Sequence, residues 1–225
     1  MTATSLGRGA VAAVLLVVAG ASAPPATASV PPSSTALILS AVESPFGQRV
    51  TATATVSANP GPAQGDVVFT VDGTSIKANL GASGVTSLVL PGALVGQHTI
   101  SAAFVPQFPD RQEGSVSPTQ TWVVTQVRTR VQVRVIGRGT RIPTSVEVSA
   151  AGDFGSRPTG RVVMVVRRVG SPGRTRVVER LDSTAVAVAR LGKLAKGTYR
   201  LVVNYRGDPQ HLSERQSRTF YVQRR

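Results

Sequence analysis

A two-residue alternation of apolar and polar side chains constrains this chain more than any other feature. In residues 127–135, valines and one threonine alternate with arginine or glutamine, and in residues 50–56 valine or alanine alternates with threonine. Successive side chains of a β-strand point to opposite faces of a sheet, so this period indicates half-buried antiparallel strands. Residues 29–225 contain no sustained apolar stripe at the period of an amphipathic helix. The pattern therefore predicts an all-β chain.

The predicted strands occur twice along the chain. Turn residues interrupt them about every 8–12 residues, a spacing typical of β-sandwiches. Residues 65–71 recur as residues 160–166 and residues 96–100 as residues 197–201, and these offsets match an immunoglobulin-like domain of about 100 residues. We therefore predict two tandem immunoglobulin-like antiparallel β-sandwiches. The first is expected in residues 29–125 and the second in residues 126–225, with a connection short enough to make a semi-rigid rod.

The N-terminal segment predicts export. Arg8 precedes an apolar run at residues 10–19, and two small-residue cleavage sequences follow, Ala21-Ser22-Ala23 and Ala26-Thr27-Ala28. This order is typical of a secretory signal peptide, and we expect residues 1–28 to be removed, with cleavage after Ala23 as the alternative. About ten apolar residues are too few to span a ~30 Å hydrocarbon core. Export is therefore favoured over a membrane anchor, and no transmembrane segment is expected in the mature chain.

Two motifs of the second repeat carry a family resemblance. They are Pro158-Thr159-Gly160 and, above all, the run GTYRLVVNYRGD at residues 197–208. They resemble bacterial immunoglobulin-like repeat domains, and the resemblance extends from about residue 33 to residue 222. In the first repeat Asp72-Gly73 fits the pattern, but Phe104-Val105-Pro106-Gln107 replaces the tyrosine and Gly-Asp. The resemblance implies a sandwich with structural, adhesive or spacer roles, and it carries over no catalytic residue.

One position in each repeat is expected to form the corner of its sandwich. Tyr199 follows a turn at Gly197 and lies two residues before Leu201, where a sandwich places a tyrosine whose hydroxyl binds the backbone. Leu201 stands where antibody domains have their second cysteine, so apolar contacts are expected to fix this core. His98 aligns with Tyr199 and is interpreted as a corner or strand residue.

The sequence offers little catalytic chemistry. It has no cysteine, so disulfides, thiolate metal sites and cysteine nucleophiles are excluded. His98 and His211 are isolated, the eleven carboxylates are dispersed, and no G-x-S-x-G motif is present. We therefore predict a protein that is not an enzyme and has no catalytic residue, cofactor or metal site. The integrin-type tripeptide Arg206-Gly207-Asp208 is interpreted as the family's own Gly-Asp turn.

Positive charge is concentrated in the second repeat. Residues 30–125 carry a net charge of −2, residues 126–225 carry +15, and 19 of the 21 basic residues in the latter are arginine. Arginine forks suit phosphate and carboxylate groups, so the second repeat is predicted to bind a polyanion. A solvated face produced by coding bias is the alternative, although such a bias would act on both halves. The predicted polyanion-binding residues are Arg128, Arg130, Arg134, Arg167, Arg168, Arg174 and Arg176.

These features together predict a secreted or loosely wall-associated protein without enzymatic activity. Its basic second domain is expected to bind an anionic cell-wall polymer or acidic glycan. The alternative is an adhesin-type module that recognises a specific protein or glycan, such as another surface protein, through loops or a strand edge. Sequence-specific binding of nucleic acid is not expected, because the chain has no helical recognition motif and no aromatic stacking platform.

Overall fold

The computed structural model describes residues 29–59 and 61–224. The signal-peptide prediction for residues 1–28 lies outside the described residues. Within them, sixteen strands form two β-sandwiches, and the one helical element is a 3-10 turn at Asp153–Gly155. In this part of the chain there is no helix with the length and apolar character needed to cross a membrane.

The first sandwich contains nine strands in two sheets. One sheet has the order β1-β3-β6 and the other β2-β9-β7-β4-β5, with β8 paired to β7. The strands are β1 (Ser33–Leu39), β2 (Glu43–Pro45), β3 (Thr51–Ala58), β4 (Gly65–Val71), β5 (Thr74–Asn79), β6 (Val85–Val89), β7 (Gly96–Pro106), β8 (Ser115–Val116) and β9 (Gln120–Thr125). All pairings between these strands are antiparallel except the short parallel pair of β2 and β9.

The second sandwich repeats this arrangement with seven strands. Its sheets have the orders β10-β11-β14 and β13-β12-β15-β16. The strands are β10 (Thr129–Ile136), β11 (Thr144–Gly152), β12 (Arg161–Arg168), β13 (Arg174–Arg180), β14 (Val186–Gly192), β15 (Gly197–Tyr205) and β16 (Glu214–Val222). Three-stranded and four-stranded sheets in this order are the A-B-E and C′-C-F-G sheets of an immunoglobulin-like sandwich. The predicted fold class is therefore confirmed, and both repeats have one topology.

Each sandwich has its own apolar core, built by the predicted alternation. In β10 the side chain of Val131 is buried while its neighbours Arg130 and Gln132 are exposed. The largest buried side chains of the first core include Phe69 and Ile100. Those of the second core include Met164, Leu201, Val203 and Tyr205. The alternation predicted from the sequence is thus the alternation of core and solvent faces.

The predicted tyrosine corner is present in the second sandwich. The Tyr199 hydroxyl donates a hydrogen bond to the carbonyl oxygen of Ala195 at 2.9 Å, and its ring stacks on Phe220 at a centroid distance of 5.5 Å. Leu201 is completely buried, as expected for the residue that replaces a core cysteine. The corner is therefore fixed by a hydroxyl and by apolar packing.

Candidate functional site

His98 forms the corner of the first sandwich with a titratable group. Its Nδ1 lies 2.6 Å from Asp72 Oδ2, and its Nε2 lies 2.8 Å from the carbonyl oxygen of Leu94. Leu94 stands four residues before His98, as Ala195 does before Tyr199, so the two corners are equivalent. Both partners are acceptors, and only the imidazolium can donate to both. Partial burial lowers the pKa of His98, but the hydrogen bonds to Asp72 and Leu94 outweigh this effect and raise it.

The strongest catalytic constellation lies at the junction of the sandwiches and was not predicted. His211 Nδ1 lies 2.8 Å from Asp208 Oδ1, and His211 Nε2 lies 3.0 Å from Ser156 Oγ. The spacing of Asp208 and His211 in sequence signals their pairing, but Ser156 comes from a loop 55 residues away. The order acid, histidine, hydroxyl is that of a hydrolase triad.

The surroundings of this constellation indicate a structural role. His211 is only 2% exposed, and the ring of Phe46 from the first sandwich covers it with a centroid distance of 5.8 Å. The Ser156 hydroxyl donates to the carbonyl oxygen of Asp153 at 2.8 Å, so the proton that a base would remove points elsewhere. Catalysis needs an accessible base and a hydroxyl that donates to it, and this arrangement has neither.

The same loop makes one hydrogen bond to the first sandwich and fixes the start of the second sandwich. The backbone N–H of Val95 donates to Gln210 Oε1 at 2.7 Å, and Gln126 Nε2 donates to the carbonyl oxygen of Asp208 at 2.9 Å. The backbone of Val127 bonds on both sides, to Gln210 and to Leu212. These contacts replace a flexible linker with paired backbone and buried side chains.

The acidic residue of the Arg-Gly-Asp tripeptide is hydrogen-bonded to groups within the protein. The Asp208 side chain is 7% exposed and accepts hydrogen bonds from the backbone N–H groups of Thr159, Gln210 and His211. Burial opposes ionisation, but these bonds and the His211 ring hold the pKa of Asp208 at about 2. The interpretation of Gly-Asp as a turn therefore agrees with the geometry.

The predicted polyanion-binding residues are all exposed, but the fold divides them. Arg130 and Arg134 project from β10, and Arg128 immediately precedes this strand. Carboxylates lie near this group, since Arg130 Nη2 is 3.2 Å from Asp153 Oδ1 and the register places Glu147 of β11 opposite Arg134, without an ion pair between them. The three arginines therefore share a face with partly neutralised charge.

The other four predicted arginines belong to the opposite sheet. Arg167 and Arg174 are directly paired across β12 and β13, and Arg176 lies two residues further along β13 on the same face. Arg168 has the opposite orientation. Its Nη2 donates to the carbonyl oxygen of Lys196 at 2.7 Å, and its guanidinium covers Gly197, whose φ of +152° a side chain would not favour. Arg168 thus holds the turn before β15.

Four further arginines, which are not among the predicted polyanion-binding residues, lie on this outer face. They are Arg161, Arg180, Arg200 and Arg215. The alternation of buried Val162, Met164 and Val166 in β12 places Arg161 and Arg167 outward, and this signal was available in the sequence. Their grouping with arginines of other strands depends on register, which the sequence does not display.

In the described residues, no cluster of three or more His, Asp or Glu side chains could hold a metal ion.

Comparisons with known proteins give only distant structural similarity. No protein-family model and no curated protein matches the chain. A tetra-tandem repeat from the extending region of a large adhesion protein matches 85% of this chain at 14% identity with a TM-score of 0.44. The chain spans about half of that structure, 49% of its length.

Two further solved structures show the same level of similarity. The Yersinia pseudotuberculosis adhesin InvE matches 83% of this chain at 17% identity with a TM-score of 0.38, over 58% of its own length. A two-domain fibronectin type III segment of chicken tenascin matches 82% at 12% identity with a TM-score of 0.41, over 97% of its length. The resemblance predicted from the sequence is confirmed for the fold, which the strand order and register establish by themselves.

Proposed function

We propose that this chain is a secreted or envelope-associated protein without catalytic activity, held on anionic envelope polymers by its second domain. The first domain, residues 29–125, acts as a near-neutral spacer, and the second, residues 126–225, supplies the charge. Export by the N-terminal signal at residues 1–28 is part of this proposal. No cofactor is required for it.

The proposal rests on the described exposed arginines of the second domain, which are almost all without a carboxylate partner. In residues 29–59 and 61–224, the pair of Arg130 and Asp153 is the one arginine–carboxylate contact within 4.0 Å. Among the other guanidinium groups of the described residues, those of Arg168 and Arg218 donate to backbone carbonyl oxygens, and none is paired with a carboxylate. Mobile counterions balance this unpaired charge. A polyanion releases those counterions when it binds, so the charge is available for association.

Cell fractionation tests where the protein resides. We expect it in the wall fraction and in the medium, and a wash with moderate salt should release the wall-bound part because salt screens exposed charges. Retention in the membrane fraction after that wash would contradict the proposal.

Binding of the mature chain, residues 29–225, to isolated wall polymer tests the mechanism. Affinity should fall by about 100-fold or more between 50 and 200 mM salt, as for other proteins that neutralise several anions. Neutral dextran is the control and should not retain the protein. Saturable, salt-insensitive binding to one protein or glycan would instead support the adhesin alternative.

A further inference from the structure

Seven exposed arginines share the outer face of the four-stranded sheet in the second sandwich, here called the arginine face. They are Arg161, Arg167, Arg174, Arg176, Arg180, Arg200 and Arg215. Register places Arg174 opposite Arg167 and Arg167 opposite Arg200, so three arginines form one row across three neighbouring strands. Arg161 is opposite Arg180 at the other end of the same strands. From strand geometry, the Cα atoms of neighbouring arginines in a row are about 5 Å apart, and the two rows are about 20 Å apart along the strands.

The rest of the arginine face is uncharged. No outward-facing position of β12, β13, β15 or β16 carries an acidic residue. Valines occupy the band between the rows, among them Val165, Val178 and Val202. Val163 also points outward but is only 8% exposed, and the arginine stems are the long side chains on this face available to cover it. The face therefore combines two cationic rows with a band rich in valine, in which Arg176 and Arg215 are also located.

Protection of sheet edges explains only part of this arrangement. Charged residues on edge strands prevent sheets from pairing with other chains, and β13 and β16 are the edges of this sheet. Arg161, Arg167 and Arg200 lie on the central strands β12 and β15, where no edge needs protection. Like charges directly opposite each other destabilise a sheet. The row around Arg167 is thus unfavourable for the fold itself.

The first sandwich shows that the fold does not require arginines at these positions. On the equivalent face, Asp66 takes the place of Arg161, and Lys77 Nζ contacts its carboxylate at 2.6 Å. Further along this face, Thr70 of β4 is paired with Ser101 of β7. The equivalent face is therefore polar and neutralised, while the topology is the same.

We infer that the arginine face binds a linear phosphodiester polymer laid across its two rows. This inference rests on the proposed function and assigns it a surface and a ligand class. The two free oxygens of a phosphodiester accept hydrogen bonds over a wide range of directions and can bridge neighbouring guanidinium forks, whereas the in-plane lone pairs of a carboxylate favour one bidentate fork. A row of three arginines about 5 Å apart thus suits phosphate. A flat four-stranded face does not enter a duplex groove, which admits a helix or a two-stranded ribbon, so a flexible single polymer is favoured over duplex DNA.

Two triple variants of the mature chain with the same net charge test the inference. The first is Arg167→Thr, Arg174→Thr and Arg200→Thr on the arginine face. The matched control is Arg128→Thr, Arg130→Thr and Arg134→Thr beside β10. The probe is a poly(glycerol phosphate) oligomer, with alginate as a carboxylate polymer, duplex DNA and phosphatidylglycerol vesicles as comparisons. Thermal unfolding of each variant establishes that it is folded before binding is measured.

We expect the arginine-face variant to reduce the magnitude of the negative slope of log affinity against log salt by about 2, since three phosphate contacts are removed. Because of this difference in slope, the ratio of wild-type affinity to variant affinity should increase roughly 20-fold when the salt concentration is reduced fourfold. The control variant should bind within about threefold of wild type. A third variant replaces Arg167, Arg174 and Arg200 by lysine and so keeps the net charge. It should fold, and it should lose part of the affinity because lysine lacks the guanidinium fork.

The outcomes separate this inference from the proposed function. If wild type fails to bind every anionic probe at low salt, the proposed function fails. If wild type binds but the two variants lose affinity equally, net charge alone is responsible and the arginine face is refuted. Equal binding of alginate, or preference for DNA or vesicles, would overturn the phosphodiester assignment. A lysine variant that binds as wild type would overturn the role of the forks.

Discussion

Replacement of His98 by tyrosine is expected to remove a pH dependence from the stability of the first sandwich. The folded state holds His98 between two acceptors, Asp72 and the Leu94 carbonyl, and raises its pKa above the usual 6.5. The stabilisation is therefore complete below pH 6.5 and is lost as pH rises through the raised pKa. Tyr199 makes the equivalent bond to Ala195 with a hydroxyl that does not titrate near neutrality.

The magnitude follows from the hydrogen bonds. Neutral His98 has one N–H for two acceptors, so deprotonation removes one charge-assisted hydrogen bond. A shielded bond of this kind contributes about 1.5–3 kcal/mol. The Asp72 side chain is 48% exposed, which reduces the contribution to about 1 kcal/mol. For a domain of this size, 1 kcal/mol corresponds to a change of about 4–8 °C in the unfolding midpoint.

Trp122 provides a local reporter for this measurement. It is the single tryptophan of the chain, and its ring lies 5.4 Å from that of His98, so its fluorescence follows the first sandwich. The thermal unfolding midpoint of wild type should decrease as pH is raised from 6 to 9 at fixed ionic strength. The midpoint of His98→Tyr should not change over this range. Tyr199→Phe is the matched control, because it removes a corner bond from the other sandwich without titrating. The same pH slope in wild type and His98→Tyr would refute the reasoning.

Three further predictions concern the second sandwich. Arg167→Thr should raise its stability by about 0.5 kcal/mol at low salt because like charges are separated, and high salt should abolish the gain in a thermal-unfolding series. Asp208→Asn should destabilise it by about 2 kcal/mol at pH 7, the free energy that corresponds to a pKa lowered from 3.8 to about 2. The pKa of Asp208 is about 2, so this difference should be present above pH 3.8 and vanish as pH falls through 2, as acid titrations of both proteins would show. Tyr205→Phe should leave the urea midpoint unchanged or raise it, because the buried Tyr205 hydroxyl makes no hydrogen bond of normal geometry among the described residues, although Asp208 lies near it.

Several features of the candidate site follow from local sequence. The pairing of Asp208 with His211 is a contact between residues three apart, and the corner roles of Tyr199 and His98 follow from a turn glycine and a repeat alignment. Each of these depends on neighbours within a few positions, where sequence spacing fixes distance. The burial of His211 was not predicted. It results from Phe46 of the other sandwich, which lies 165 positions earlier in the chain.

The grouping of the arginines illustrates the limit of sequence reasoning. Alternation assigns each arginine to the inner or outer side of its own strand, and it did so correctly for Arg128, Arg130 and Arg134. It does not reveal which strands are neighbours or how they are aligned. The predicted group therefore combined residues of two opposite sheets, and it included Arg168, whose guanidinium donates to the carbonyl oxygen of Lys196.

The sequence by itself determined the all-β class, the two repeats, the corner positions and the placement of positive charge in the second half. These features are encoded by periods of two residues and by spacings that repeat after about 100 residues. Only the tertiary structure brought Arg167 between Arg174 and Arg200, and only it closed the Asp208–His211–Ser156 constellation beneath Phe46. The physical reason is that strand order and register are decided by packing between segments that are distant in sequence, because each apolar face must find its partner in the core.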